Sequence, residues 1–486
     1  MAFDDLTQFL QAASDAGELE RVDVELDPVE EIAAVTQEIC REFREQSPVI
    51  LCERPVRSHI PVVTNLLGNR QRFLRATGCQ NIDEVVTRFQ TAFNPFPVAE
   101  RDWKFGIGGG AGLDRSRFHP RVIRRGACQQ VVKLGKELNL REFPIPKNWQ
   151  GETRPTITAG LVISESIDGK RTLERVPVGV IDQETLVLHW QPEHVGLTQW
   201  KQAQARKRPF PVAIALGGDP LLSYVASLPL PTMMDPWIFA GILRQECVNL
   251  IRARSVELDV PADAEIIFEG YLEPGSEAVS GTVGGPSGLL ETHSGLPVMR
   301  LSAITHRANP LFPASVPAFG FQEEFVTSLL TEKLLLSLLR LVNSDVVDLH
   351  LPACGGHRQV VFVGTTATQA TQVRQLFQAV GSLPISRAAG ILVAVPSHVE
   401  LRTPDAVWRE VALRFPGVSP NFAPSSMSSG DGRLWIDAAS RNDESTLHAS
   451  GGRRCESTGQ VLSRIAARLG AGAVEELETT AETSLS

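Results

Sequence analysis

Two tyrosines stand among 486 residues, and aromatic residues reach only 6%. So few rings leave little for stacking bases and argue against a nucleic-acid surface. Cysteine is sparse too: Cys40, Cys52, Cys79, Cys128, Cys247, Cys354 and Cys455 are dispersed, with no CxxC pair. An odd, scattered set excludes a disulfide framework or zinc cluster and reads as reduced thiols filling core. Positive charge is not in excess, with 47 Lys and Arg against 56 Asp and Glu and a net charge of −9. That balance gives no general attraction to nucleic acid or anionic membrane. Long uncharged apolar runs are also missing. The most apolar helical stretch, 325–342, contains Glu332, Lys333 and Arg340 and reads as a buried helix, not a membrane span. The opening MAFDDLTQFLQAASDAGEL lacks the basic and then apolar pattern of a secretory signal. A cytoplasmic protein without a membrane span is expected.

What is present is ordinary globular composition, 43% apolar and 21% charged, in a chain long enough for two to four domains at roughly 150 residues each. Phe3, Leu6, Phe9, Leu10 and Ala13 recur at helical spacing, with Gly17 at a C-cap position. Asp27, Pro28, Glu30 and Glu31 read as a helix start, followed by an apolar face of Ile32, Val35, Ile39 and Phe43. Strands are expected at 48–52, 61–64, 161–166, 175–182, 186–190, 211–216, 265–272 and 298–306, with Asp168-Gly169 turning between 161–166 and 175–182. One helix, 238–251, interrupts the central set, which suggests a β-barrel or tightly curved sheet. Helix 325–342, strand 360–363, helix 367–380, strand 391–395 and a helix opened by Thr403, Pro404 and Asp405 then predict an α/β unit with parallel pairing. The expected division is an N-terminal α/β domain (1–120), a central split β-barrel (121–318), a C-terminal α/β domain (319–470) and a fraying tail (471–486).

Several segments are candidates for chemistry. GIGGGAG in 105–113 has no strand before it and no clear helix after it, so it reads as a connector rather than a phosphate loop. His194, in QPEHVG, is a metal ligand or a satisfied loop histidine. ALGGDP (215–220) is a tight turn that also lets a ligand approach backbone. VSGTVGGPSG (279–288) reads as a glycine loop between two strands; its nearest ionisable neighbours are Glu277, Glu291 and His293.

The order of these motifs, from Phe3 to about Gly470, resembles the UbiD family of (de)carboxylases. FLQAASDAGELERV with ELDPVEEI, PVVTNLLGNRQRFLRATG, FPIP, ITAGLVIS, FPVAIALGGDP, IFAGILR, LDVPADAEIIFEGYLEPG and AITHRANPLF carry the resemblance in sequence. It implies a central flavin-binding barrel holding prenylated FMN, anchored through its phosphate by a divalent metal (usually Mn2+) and K+. It implies loss of CO2 from an aromatic or α,β-unsaturated carboxylic acid, a flavin prenyltransferase as cofactor supplier, and a homo-oligomer formed through the C-terminal domain. The Leu-rich helix around 334–341 suits such an interface, or else is ordinary core.

Laid on this sequence, the resemblance implies His194 and, with one insertion allowed, Asp235 as metal ligands, and Thr172, Ser227, Leu228 and Pro229 along the cofactor. The family's catalytic arginine falls on Pro177, and its two loop acids fall on Ser280 and Gly285. Such acids are typically worth ~10²–10⁴-fold each. Arg175, on the same strand face as Pro177, and Glu277 are the candidate substitutes. Two functions follow: a carboxy-lyase whose proton handling has moved, or a degenerate relative that binds a flavin, another small ligand or a partner subunit without decarboxylating. Substrate class and reaction direction are not legible in the sequence.

Overall fold

The structure is a computed structural model that describes residues 3–93, 115–192, 194–228, 230, 234–276, 279–285, 287–318, 323–353, 359–382, 390–414 and 434–440. The connector with GIGGGAG, the expected tail, Glu277, Pro229, Cys354 and Cys455 lie outside the described residues.

Near the N-terminus, helix Leu6–Asp15 is capped by Asp5 and followed by Gly17 at φ +71°. It packs beside a sheet in which Leu19–Leu26 runs parallel to Val49–Pro55, and Val49–Pro55 runs antiparallel to Val62–Thr64. The expected Asp27 cap is displaced. Helix Glu31–Phe43 begins after Glu30, held at φ +69°, while Asp27 accepts from the Val29 N–H and Glu31 reaches back to the Asp27 N–H. Pro28 lies ahead of that helix because its segment pairs instead with Lys147. The LLGNR turn is closed from within: Arg72 is fully buried and donates to the carbonyls of Leu66, Ser47 and Asn65. Burial holds its guanidinium down to about 10, and three carbonyl partners offset the desolvation of that charge.

The central sheet has nine strands, all antiparallel, in the order Thr156–Ile157, Val178–Val180, Thr185–Leu188, Val298–His306, Ile266–Leu272, Phe210–Leu216, Leu161–Glu165 and Arg171–Arg175, with Val131–Leu134 added on Val298–His306. This is the expected curved half-barrel, filled by Val162, Val178, Leu186, Leu188, Val212, Ile214, Phe268 and Ile304. The expected strand 175–182 is two strands. Pro177 has no N–H to give a ladder, so the chain leaves Leu161–Glu165 at Arg175 and takes Thr185–Leu188 as its next partner.

The expected helix 238–251 also ends early. Pro236–Arg244 stops at Gln245 in the left-handed region, and Asn249–Arg252 pairs with Arg121–Ile123. Two further helices, Val195–Ala205 and Pro220–Ser227, cover the barrel. The glycine run forms a strand of its own, Val279–Gly284, in a hairpin with Leu290–Leu296.

Helix Glu323–Val342 joins the units. Its Leu330, Leu334 and Leu338 enter the core shared with the N-terminal helices, and Leu335, Leu336 and Leu339 enter the C-terminal core. The Leu-rich stretch is thus interior to the chain. In the C-terminal sheet, Val346–His350 is antiparallel to Val360–Thr365, and Ile391–Pro396 and Leu434–Asp437 follow in parallel. The described cysteines Cys40, Cys52, Cys79 and Cys128 are buried and Cys247 is half-buried, all as free thiols.

Candidate active site

The strand Phe210–Leu216 ends in Gly217 and Gly218, both with positive φ (+74° and +83°). A side chain at Gly217 would collide with Glu265, so the turn needs glycine for space as well as for backbone. Asp219 follows as the cap of helix Pro220–Ser227 and pairs with Arg244 at 2.7 Å. Burial pushes its carboxyl up, and pushes Asp263 and Glu265 up to about 6 and about 7. Above this turn lies a narrow cleft lined by Leu66, Ala159, Leu161, Gly217, Gly218, Ser223, Pro313 and Glu323.

The strand Arg171–Arg175 sorts its side chains by alternation. On one face Arg171 holds Asp235, Leu173 enters the core, and Arg175 reaches Glu323 at 3.3 Å. Glu323 also accepts from the Leu67 N–H at 3.1 Å, so one carboxylate on the cleft wall ties the N-terminal turn to the barrel strand. On the other face, Thr172 bonds Ser164, which in turn bonds Gln199. Glu174 accepts from the Val195 and Gly196 N–H groups at 2.6 and 3.0 Å. An internal carboxylate therefore occupies the positive end of helix Val195–Ala205. Burial raises its pKa, opposed first by the charge of His194.

The residues singled out from the sequence do not form one cluster. His194 stands at the start of helix Val195–Ala205, with Nδ1 accepting from the Gln191 N–H. Asp235 uses one oxygen to cap helix Pro236–Arg244 and the other to hold Arg171. The Thr172 hydroxyl is buried against Ser164, and the Ser227 hydroxyl donates to the Tyr224 carbonyl. Leu228 is core. Among the described residues no three His, Cys, Asp or Glu side chains converge as a metal site. His194 and Asp235 are engaged internally, and residues 193 and 231–233 beside them lie outside the described residues. For a flavin, what is present is the Gly217-Gly218 turn, whose bare backbone lies at a narrow cleft.

Charged groups surround the glycine hairpin; of these, the sequence singled out Glu291 and His293 but not Glu152, Arg154 or His189. Glu152 is buried and accepts from the Gly284 and Asn148 N–H groups at 2.9 and 2.8 Å. Arg154 lies over Gly179 and donates to the Ser280 carbonyl at 3.1 Å. His189, 2% exposed, has its N–H on the Pro177 carbonyl and its ring Nδ1 at 3.3 Å from Nδ1 of His293. His293 lies 3.5 Å from Glu291, and Glu291 fills the space beside Gly285. Of the implied positions that lost their charge, Ser280 has Arg154 on its carbonyl and Gly285 has Glu291 beside it, whereas the Pro177 carbonyl accepts from the backbone N–H of His189. Glu152, Arg154 and His189 come from distant parts of the chain, so linear spacing gave no sign of them.

The 3-octaprenyl-4-hydroxybenzoate carboxy-lyase Rift-related domain matches residues 121–319, with the N-terminal domain of the same carboxy-lyase at 10–89 and its C-terminal domain at 325–417. A protein of Aquifex aeolicus is 33% identical over 362 residues, 74% of each chain. Among solved structures, the closed form of a vanillic acid decarboxylase of Sedimentibacter hydroxybenzoicus superposes with a TM-score of 0.79 at 20% identity, over 97% of this chain and all of that one. An evolved dimeric form of the UbiD-class enzyme HmfF of Pelotomaculum thermopropionicum, in complex with prFMN, superposes at 0.72 with 23% identity, over 94% and 98% of the two chains.

Proposed function

The chain belongs to the UbiD family, and we propose that it is a prenylated-FMN-dependent, non-oxidative decarboxylase or carboxylase acting on an aromatic or α,β-unsaturated carboxylic acid. The observation that carries this reading is the Arg175–Glu323 pair at the cleft. Both side chains are about one-tenth exposed, and the carboxylate lines the wall beside the Gly217-Gly218 turn. An arginine and an acid held together at a cleft are the chemistry that orients a carboxylate and moves a proton.

When bound, the flavin supplies the electron sink that lets the carboxyl group leave as CO2. The chain's own residues do the rest. Arg175 orients the substrate carboxylate, Glu323 holds Arg175 and exchanges a proton with the reacting carbon, and the apolar wall of Leu66, Ala159 and Leu161 keeps water from the ring system. Glu277 is a second candidate acid. Thr172, Ser227 and Leu228 belong to the cofactor's surroundings through backbone and packing, since the Thr172 and Ser227 hydroxyls are engaged internally; Pro229 is the fourth position proposed there. Asp235, an implied metal ligand, is held by Arg171. The substrate is a small carboxylic acid, the flavin prenyltransferase supplies the cofactor, and homo-oligomers in the cytoplasm are the proposed state.

The same internal commitment of Asp235 and Thr172 favours a second reading: a relative that binds a flavin or small acid without turnover. Protein purified from cells co-producing the flavin prenyltransferase separates the two. Stoichiometric prenylated flavin by absorbance and native mass, with CO2 release from an acid panel, supports the enzyme. Stoichiometric flavin without CO2 release supports the second reading, and a colourless chain of bare mass defeats both flavin readings.

A further inference from the structure

The strand Arg171–Arg175 fills from within two places that the family resemblance gives to a cofactor and its metal. Arg171 sets its guanidinium on Asp235, an implied metal ligand, with Nε 2.9 Å from the carboxylate. Three residues on, Glu174 sets its carboxylate on the start of helix Val195–Ala205, directly after His194, the other implied metal ligand.

This helix end is built around an anion. The N–H groups of a first helical turn have no partner inside the helix and carry its positive end. Here the Val195 and Gly196 N–H groups each donate to a different oxygen of Glu174, at 2.6 and 3.0 Å. The helix has no acidic residue in its own first turn, so the compensating charge comes from the barrel strand. Gly196 permits the close approach: a Cβ there would lie 2.8 Å from Oε2 of Glu174 and 2.6 Å from the Trp190 ring. The Trp190 indole N–H is buried, makes no hydrogen bond among the described residues, and helps to hold the carboxylate's charge.

A phosphate binds a helix start through the same backbone donors. Both donors are already taken, and two anions placed side by side repel. We propose that Glu174 is the resident occupant of this anion seat and that the phosphate of a flavin enters it only by displacing Glu174. The proposal rests on the flavin reading for one point, the identity of the incoming anion as a cofactor phosphate.

The test is equilibrium binding to the full chain purified without flavin, by flavin fluorescence for FMN and riboflavin and by calorimetry for inorganic phosphate. Wild type should bind FMN within about threefold of riboflavin and should not bind inorganic phosphate. Glu174→Ala should tighten FMN at least about tenfold while leaving riboflavin unchanged, and should bind inorganic phosphate. Glu174→Gln, which drops the charge but keeps the volume, should gain less. A merely structural cap would instead lower the melting temperature of both variants with no gain in affinity.

The proposal is overturned if wild type favours FMN over riboflavin by about tenfold or more. It is equally overturned if folded Glu174→Ala binds FMN and phosphate no better than wild type does. Should Glu174→Ala not fold, the wild-type ratio and the smaller gain in Glu174→Gln decide. Phosphate affinity gained in Glu174→Ala, in a protein that releases no CO2, sustains the occupied seat and defeats the carboxy-lyase reading. CO2 release with no gain in either variant does the reverse.

Discussion

Arg171 grips Asp235 through Nε at 2.9 Å and Nη2 at 2.5 Å, while the second Asp235 oxygen caps the helix Pro236–Arg244. The chain's own cation stands against the carboxylate that family resemblance implies as a metal ligand. Dialysis against EDTA is therefore expected to leave the melting temperature and any bound flavin unchanged. A loss of flavin restored by Mn2+ would contradict this. Asp235→Ala, which removes the cap and the ion pair together, should destabilise by about 1–2 kcal/mol in chemical denaturation.

Asp219 and Arg244 form a deeper pair, 2.7 Å apart with side chains 0% and 8% exposed. Removing the arginine leaves a buried, uncompensated carboxylate. Arg244→Ala should cost about 3–5 kcal/mol, measured as a shift in denaturation midpoint, whereas Arg244→Ala combined with Asp219→Asn should recover part of it.

Glu265 is 1% exposed, and burial raises its pKa from 4.5 to about 7. Between those values the folded state holds a proton that the unfolded chain has released, so this group's contribution to stability falls as pH rises through the window. Glu265→Gln mimics the protonated form. Its melting temperature relative to wild type should improve from pH 4.5 to pH 7.5; a constant or worsening difference would contradict the assignment.

Arg175→Ala should lower kcat/KM by about 10²-fold or more, and Arg175→Lys should restore little, because a point charge does not replace a planar fork. Glu323→Gln should shift the pH profile of kcat, an effect that a merely structural tie to Leu67 would not produce.

Much of the fold is legible in the sequence because strands of the barrel alternate, the C-terminal unit repeats strand–helix–strand order, and the motifs keep their order along the chain. Two helices that cover the barrel escape notice for opposite reasons. Val195–Ala205 buries only Gly196, Gln199, Trp200 and Ala203, too few apolar residues to mark a face. Pro220–Ser227 buries six of its eight residues, so it lacks a polar face to reveal a helical period. The split at Val176-Pro177 carries its signal openly, since proline cannot sit mid-ladder. The site is less legible. Arg171, Leu173 and Arg175 share a face that alternation announces, but Glu323 lies 148 residues from Arg175. Arg154, His189 and His293 lie far apart in the sequence and come together only in the folded chain.

The most direct measurement is ¹³CO2 release from a panel of carboxyl-labelled aromatic and α,β-unsaturated acids, using protein purified with stoichiometric prenylated flavin. At least one acid is predicted to lose its label catalytically, and Arg175→Ala is predicted to abolish that release without emptying the flavin. Full flavin occupancy with no ¹³CO2 from any acid would contradict the account.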